Sequence, residues 1–436
     1  GPVSEPLYIA FTYGGEGRFK QRYATRLDKD GAYTADPASG SYYILPGQYS
    51  ETTADTTWGE SSTAPGWVTY NPQDWAAPDT EGAKPAKTPA LASSFDNQCA
   101  GCHFTGMSLT RNADGLFQAR AVADPGGPID FDGDGETEEM NVGCERCHGP
   151  GSVHAENEGG SIVQPEYLPP GRANMVCGQC HTRGSGNGTI DGAGRGGYPS
   201  RNDPVSGDIE FVRAGIGAAE FFGTPDGTGI LPSFGTTGGF FNPFSFATST
   251  SASWQDRSGG FGSKQDHAKM HRSQHMDHVR ALHGSNPFDM LACWSCHDPH
   301  GRELKSQLSA PSDNNVLCLE CHAGFGDFSG ADRGDVEDLA EGGAQAASIT
   351  NAIQGHVKER VFELVGVSMN LNPDSYRNPA GANALGRCST CHMPKTAKTA
   401  TNIVDLEGFT IEGDIHSHTF DVISPKVSSG MASAGR

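Results

Sequence analysis

The sequence predicts a largely irregular and α-helical chain with a small β-rich module at its N-terminus, and three observations predict that fold. The 436 residues include 59 glycines and 27 prolines, a content that favours turns over long helices. Residues 1–95 hold neither cysteine nor histidine. All 12 cysteines follow that segment, and each belongs to the same five-residue motif. Such a chain is expected to wrap around bound groups and not to build stacked layers of secondary structure.

The N-terminal module is predicted from short apolar and aromatic runs separated by turn residues. These runs are Leu7–Tyr13, Ser41–Leu45 and Gly66–Tyr70, and a turn pair such as Asp30-Gly31 lies between two of them. No catalytic motif occurs in the segment, so we interpret it as a cap that shields a neighbouring bound group from water.

The cysteines define that bound group. They form six Cys-x-x-Cys-His runs, which are Cys99–His103, Cys144–His148, Cys177–His181, Cys293–His297, Cys318–His322 and Cys388–His392. Two thiols at this spacing can each form a thioether to haem, and the following histidine can bind the iron as its proximal ligand. A disulfide, a redox dithiol or a zinc pair does not explain why histidine follows every pair. The sequence therefore predicts six covalently bound haem c groups in a mostly irregular and α-helical multihaem cytochrome.

The predicted haem ligands follow from these runs. The haem-binding cysteines are Cys99, Cys102, Cys144, Cys147, Cys177, Cys180, Cys293, Cys296, Cys318, Cys321, Cys388 and Cys391. The proximal histidines are His103, His148, His181, His297, His322 and His392.

The spacing of the runs predicts four regions. They are residues 1–95, the β-rich haem-free module; 96–183, with haems one to three; 184–263, a haem-free insertion rich in Gly, Ser and Phe; and 264–436, with haems four to six. The phenylalanines of Gly238–Phe246 indicate that the insertion is pressed against the haems of this chain or against a neighbouring subunit.

Ten further histidines are candidates for the distal position of the six irons. His300 and His154 each follow a proximal histidine closely, so we expect them to ligate a neighbouring haem and not their own. Residues 264–283 are predicted to be helical, with four histidines on one face. We expect one of those four to bind iron, with His283 as a second ligand, and the others to lie at the surface or to bind propionates.

His356 and one member of the pair His416 and His418 complete the predicted set. Methionine is the competing axial ligand and would raise the haem potential. Met393 directly follows a proximal histidine, so it cannot reach the distal face of the same haem.

An acidic segment before haem two resembles the start of a calcium loop, because carboxylates alternate and glycine stands sixth. The candidate ligands are Asp130, Asp132, Asp134, Glu136 and Glu138. The match fails at the twelfth position, where Asn141 replaces the bidentate glutamate. An acidic surface turn is therefore the alternative.

The formal net charge of −21 excludes nucleic acid as a favoured partner. It favours cationic or metal-bearing partners, such as other redox proteins or extracellular metal acceptors. No stretch approaches the length of a membrane span. Haem c is attached after export, and the chain begins at Gly1 without an apolar leader. We therefore expect a mature form that acts outside the cell or at its surface, with the periplasm as the alternative.

The motifs resemble those of known multihaem families. The first three runs, with Phe104-Thr-Gly106 and Gly149-Pro-Gly151 beside them, resemble the haem-packing core of the tetrahaem cytochromes of ammonia oxidisers. The octahaem hydroxylamine-oxidoreductase superfamily shares related packing. The segments that resemble longer multihaem relatives are Met270-His271-x-x-Gln274, Leu282-His283, Cys296-His-Asp-Pro-His300-Gly, Cys391-His-Met-Pro394 and His418-Thr-Phe420. The matches cover all six haems but hardly touch residues 184–263, and they are specific for haem packing and weak for function.

The resemblance implies a choice among the spare histidines, since it favours His271 over its helical neighbours and His418 over His416. The predicted distal ligands are then His154, His271, His283, His300, His356 and His418. The chain departs from those families in having six haems, neither four nor eight, and no Cys-x-x-Cys-Lys run for an open haem. In the tetrahaem relatives the haem that corresponds to Cys99–His103 lacks a sixth ligand, so ligation of that haem stays open here.

These features predict an electron-transfer protein and not an enzyme: electrons would pass along closely packed bis-histidine haems. A sharper hypothesis is that identical subunits polymerise into an extracellular filament, as in a cytochrome nanowire. One alternative is an oxidoreductase of nitrogen or sulfur oxyanions, which needs an iron with an open position. The other is a monomeric periplasmic electron shuttle.

Overall fold

The structure is a computed structural model of the chain. It describes residues 6–15, 20–36, 38–50, 66–76, 86–121, 141–157, 159–181, 189–190, 193–194, 200–202, 205–207, 209–217, 274–284, 291–301, 303–312, 314–341, 346–365, 386–393, 395–397, 403–404, 410–411, 415–420 and 422. Several sequence predictions lie outside these residues, namely the candidate calcium ligands, the phenylalanine run Gly238–Phe246 of the insertion and His271.

The chain divides into two compact units. The first comprises Gly1–Glu51, Pro65–Ala252 and Met270–Met276. The second comprises Thr52–Ala64, Ser253–Lys269 and Asp277–Arg436. The first unit contains the first three haem-binding motifs, and the second contains the other three.

A four-stranded antiparallel sheet opens the first unit, in the order β1-β2-β3-β4. Its strands are β1 (Phe11–Tyr13), β2 (Lys20–Leu27), β3 (Ser41–Ser50) and β4 (Gly66–Thr69). Three of them coincide with the predicted strand-like runs, so the small β-rich module at the N-terminus is present. Strand β2 lacks an apolar run, and it is held as a strand by backbone pairing with β1 on one side and β3 on the other.

Short helices bring the first motif against this sheet. They are α1 (Pro72–Trp75), α2 (Phe95–Gln98) and α3 (Ala100–His103), followed by the hairpin of β5 (Met107–Arg111) and β6 (Phe117–Ala121). The buried core here includes Ala24 of the sheet, Phe95 of α2 and Cys102 of the first motif. The sheet, the hairpin and the first haem motif therefore share one apolar core.

Asp96 joins the sheet to the hairpin through two hydrogen bonds. Its carboxylate accepts one from the backbone N–H of Tyr42 in β3 at 2.7 Å and one from Ala119 in β6 at 2.7 Å. The side chain is only 1% exposed. Burial raises the pKa of Asp96 to about 7, against the opposing effect of the two N–H donors.

The remaining elements of the first unit carry motifs two and three. Motif two forms α4 (Cys144–His148), which precedes α5 (Ser152–Glu156). Motif three ends α6 (Pro170–His181), whose first turn accepts proline because its N–H groups have no helical partner. Two small hairpins follow, with strands at Thr189–Ile190, Ala193–Gly194, Ser200–Asn202 and Ile209–Phe211. Helix α7 (Gln274–Arg280) lies within the segment predicted to be helical.

The second unit is built on three helices, α8 (Val316–His322), α9 (Arg333–Glu341) and α10 (Ala346–Val365). Their shared core includes Leu319 and Ile349, which are 1% and 0% exposed. Motif six forms α11 (Cys388–His392), and two short strand pairs follow it, Lys395–Ala397 with Ile415–His416 and Ile403–Val404 with Thr410–Ile411. Among the helices described, none is both long enough and apolar enough to span a bilayer.

Candidate haem-binding site

Each haem-binding motif forms one tight helical turn. Five of the six motifs lie in the helices α3, α4, α6, α8 and α11. The fourth opens on the 3-10 turn Cys293–Ser295, and the His297 N–H donates to the Cys293 carbonyl at 3.0 Å. Residues i, i+3 and i+4 of a helical turn share one face. This spacing therefore presents both thiols and the imidazole of each motif to the same side.

The first three motifs are interlocked through their non-ligand residues. Arg146 of motif two donates to the carbonyl oxygen of Gly101 in motif one at 2.6 Å. Gln179 of motif three donates to the carbonyl oxygen of Arg146 at 3.0 Å. Arg146 and Gln179 are buried, so these bonds are shielded from water and fix the three motifs against one another.

The thiols of motifs one and three also meet. Cys102 Sγ lies 4.0 Å from the carbonyl oxygen of Cys180, and Cys180 Sγ lies 3.8 Å from the carbonyl oxygen of Cys102. On the predicted assignment, these sulfurs would attach two different haems. The attached edges of haems one and three would therefore be neighbours.

Asn315 joins motifs five and six in the second unit. Its side-chain amide donates to the Gly386 carbonyl at 2.7 Å, and its side-chain oxygen accepts from the Cys388 N–H at 2.9 Å. Asn315 has a positive φ of 69°, which asparagine tolerates better than most residues, and it directly precedes α8. The thiols of Cys318 and Cys388 are within hydrogen-bond reach of each other. This contact is the main cause of the lowered pKa of Cys388.

Three histidine pairs in the second unit bring a proximal histidine opposite a predicted distal one. The rings of His297 and His418 have centroids 6.2 Å apart and an interplanar angle of 18°. The rings of His356 and His392 are 6.1 Å apart at 24°. The pair of His283 and His322 is 6.0 Å apart at 58°.

This spacing fits an iron ion between each pair. An imidazole nitrogen lies about 1.1 Å from its ring centre and binds a metal at about 2.0 Å, so two histidines on opposite sides of one ion hold their ring centres about 6.2 Å apart. Direct stacking would allow the rings to come closer. Leu282 directly precedes His283, and Phe325 lies three residues after His322. These side chains are 85% and 71% exposed, and they offer apolar surface that a haem would cover.

Hydrogen bonds to the Nδ1 atoms orient several of these rings. Backbone carbonyls face Nδ1 in three of them: Ser306 O for His297 at 2.9 Å, His416 O for His418 at 3.1 Å and Phe420 O for His392 at 3.3 Å. In the first unit Val163 O faces His148 at 2.8 Å, and Gln274 Oε1 faces His181 at 3.1 Å. An acceptor at Nδ1 places the proton there and leaves Nε2 for a metal.

Two of the predicted distal histidines have a lowered pKa, which favours the neutral form that binds iron. Burial lowers the pKa of His418 to about 3, and the neighbouring His297 lowers it further. Burial likewise lowers the pKa of His283, with a smaller contribution from His322.

Aromatic rings of the N-terminal module surround the first proximal histidine. The ring of Tyr13 lies 5.0 Å from that of His103, and the ring of Phe95 lies 6.0 Å from it. Arg22 packs over the Tyr13 ring at 5.8 Å. Burial raises the pKa of Tyr13 well above its ordinary value. The β-rich module thus lies directly against the first haem motif, which is the position expected of a cap.

Other spare histidines have different surroundings. His154 Nδ1 meets the Gly160 carbonyl at 3.0 Å, and the exposed His300 donates its backbone N–H to Asp298 at 3.0 Å. Their predicted iron ligation stays a prediction. Of the two roles expected for the other helix histidines, a surface location is wrong for His275 and His278, which are 4% and 8% exposed, and hydrogen bonding to propionates stays a prediction. The short helix α7 turns both side chains inward, because packing and not periodicity decides which face of such a helix is buried.

Two residues contact predicted ligand histidines without having been assigned that role from the sequence. Gln274, named above only within the segment Met270-His271-x-x-Gln274, faces His181, and Asp327 Oδ2 lies 2.7 Å from His356 Nδ1. No local signal links either residue to its histidine, because each lies far from it along the chain. Only the fold brings these partners together.

The motifs and their geometry indicate a chain that holds covalently bound haem c, as multihaem c-type cytochromes do. Residues 286–327, which include motifs four and five, match the family described as Doubled CXXCH motif. The chain is also similar to the crystal structure of the outer cell wall cytochrome OcwA, with a TM-score of 0.43 and 15% identity over 99% of this chain and 76% of that one. A search of the curated proteins finds no significant match.

Proposed function

We propose that this protein is a hexahaem cytochrome that conducts electrons through closely packed bis-histidine haems outside the cytoplasm. When bound, haem iron supplies the one-electron carrier. The polypeptide attaches each haem by two thiols, supplies axial imidazoles and fixes the spacing between neighbouring haems. No small substrate takes part.

The observation that carries this proposal is the set of three histidine pairs at 6.0–6.2 Å. An iron held by two imidazoles has no open position for a substrate, so it exchanges electrons and does not activate a ligand. The proposal extends bis-histidine ligation to the first three haems, with His154 and His271 among the candidate ligands.

Contacts between motifs support close packing of the haems. The thiols of Cys102 and Cys180 and those of Cys318 and Cys388 are neighbours within their own units. Haems attached to adjacent thiols would be held edge to edge, which favours rapid electron exchange between them.

Two measurements on the purified holoprotein test this function. The intact mass is expected to exceed that of the polypeptide by six haems, and low-temperature EPR is expected to show only low-spin ferric haem. A high-spin signal that responds to nitrite or hydroxylamine would instead identify an oxidoreductase with an open iron. A smaller haem count would contradict the hexahaem proposal.

We further propose that identical subunits assemble into a filament, with one distal histidine contributed by the next subunit. The proposal is motivated by the phenylalanines that the sequence carries at residues 238–246 of the insertion. Negative-stain electron microscopy of native protein sheared from cells tests the idea. Uniform filaments are expected, and replacing the bridging histidine is expected to leave haem-loaded monomers. Dispersed monomers in the native sample would favour the periplasmic shuttle.

A further inference from the structure

Asp327 places a carboxylate at Nδ1 of His356, the predicted distal ligand of haem six. Its carboxylate Oδ2 lies 2.7 Å from Nδ1 of His356, on the 3-10 turn Gly326–Phe328 that follows motif five. His356 lies on helix α10, and its ring faces His392 of motif six at 6.1 Å. The turn and the helix are fixed by the core of the second unit, so the contact is built into the fold.

The charge of this acceptor distinguishes it from the others. In the same unit, Nδ1 of each of His297, His418 and His392 faces a neutral backbone carbonyl. A carboxylate accepts the Nδ1 proton more strongly and gives the imidazole partial anionic character. A more basic ligand stabilises ferric iron more than ferrous iron and lowers the reduction potential.

The surroundings of Asp327 permit this effect and moderate it. Its side chain is 32% exposed, and that of His356 is 24% exposed, so solvent screens the charge only in part. Arg360 Nη2 lies 3.4 Å from the same oxygen and partly neutralises it. The positive charge of Arg360 therefore opposes the effect of Asp327 on the haem potential, and removing that charge should strengthen the effect.

We infer that Asp327, acting through His356, sets the potential of haem six and makes it more negative than that of the other two haems of the second unit. The inference rests on the proposed function, because it requires His356 to be the distal ligand of that haem. It also assigns a direction within the unit, since electrons would leave haem six for haems of higher potential.

The test compares the spectroelectrochemical titrations of the holoprotein and three variants. D327N keeps the shape of the side chain and removes its charge, and we expect it to raise the potential of one haem. A tenfold loss in the preference of the ligand for ferric over ferrous iron corresponds to about 59 mV for a one-electron couple. R360Q is expected to shift the same haem in the opposite direction. E359Q removes an exposed charge from the same helix and is the matched control, with no comparable shift expected.

EPR of the same samples and of a fourth variant, H356A, separates the possible failures. Low-spin haem throughout, with an unchanged potential in D327N, would overturn the role of Asp327 and leave the proposed function intact. A high-spin haem in D327N would also overturn it, because Asp327 would then hold the ligand in place and not tune it. If H356A retains every low-spin signal, His356 is not a ligand, and the bis-histidine assignment of haem six fails first.

Discussion

At the scale of single residues, two histidines separated by one serine have different surroundings. Both have a backbone carbonyl at Nδ1, but the ring of His418 lies 6.2 Å from that of the proximal His297, and this pairing favours His418 as the ligand. We expect H418A to keep all its thioether-bound haem but to convert one haem from low to high spin. H416A should keep every low-spin signal, and EPR of the two variants distinguishes them. A high-spin signal in H416A alone would reverse the assignment.

A second residue-scale prediction concerns Asp96, whose pKa burial raises to about 7. From about pH 4 to about pH 7 the folded chain keeps a proton that the unfolded chain has released. Since the unfolded state then binds fewer protons, the free energy of unfolding falls as pH rises through this window. The full effect of a shift from 3.8 is at most about 4 kcal/mol.

Chemical denaturation of the holoprotein at several pH values measures the Asp96 contribution. D96N cannot titrate at this position, so its profile should be flatter than that of the native chain. It should also be less stable at low pH, because an amide oxygen replaces only one of two acceptors for the N–H groups of Tyr42 and Ala119. Parallel profiles for the two proteins would show that Asp96 is ionised throughout.

At the scale of elements, helix α6 provides a matched pair of glycines. A methyl group on Gly178 would lie 2.9 Å from Nδ1 of His275, whereas one on Gly171 would meet nothing within 4 Å. We expect G178A to destabilise the fold by about 1–3 kcal/mol through overpacking against the buried imidazole. G171A should be neutral or stabilise it by up to about 1 kcal/mol, because alanine favours helix.

Urea denaturation of the two glycine variants tests this prediction. Haem attachment should survive in both, since motif one carries alanine, Ala100, at the position of Gly178. Equal stabilities for G178A and G171A would mean that His275 can move aside at no cost. The close approach of His275 to Gly178 would then not limit the size of the residue at position 178.

Elements also show which parts of the fold the sequence predicts. The haem motifs are predictable because their chemistry requires ligands within one helical turn, and the strands β1, β3 and β4 carry apolar runs of their own. Strand β2, with the sequence Lys-Gln-Arg-Tyr-Ala-Thr-Arg-Leu, carries no such pattern and depends on its two neighbours. Asp327 could not have been chosen among 52 acidic residues, because its partner His356 lies 29 residues away.

At the scale of the whole molecule, charge is the property that decides encounters with partners. The net charge is −21, and each ferric bis-histidine haem adds about one negative charge through its propionates. Long-range attraction should therefore accelerate electron transfer to cationic acceptors and slow it to anionic ones. The effect should extend over the Debye length, which falls from about 30 Å at 0.01 M salt to about 3 Å at 1 M.

Stopped-flow oxidation of the reduced holoprotein by two acceptors of similar potential and opposite charge tests this expectation. Raising the salt concentration should lower the rate constant for the cationic acceptor and raise that for the anionic one, so that the two converge. If both rates are insensitive to salt, electrons leave through a locally neutral surface. If the order is reversed, a basic patch surrounds the exit haem, and the overall charge then serves solubility and not recognition.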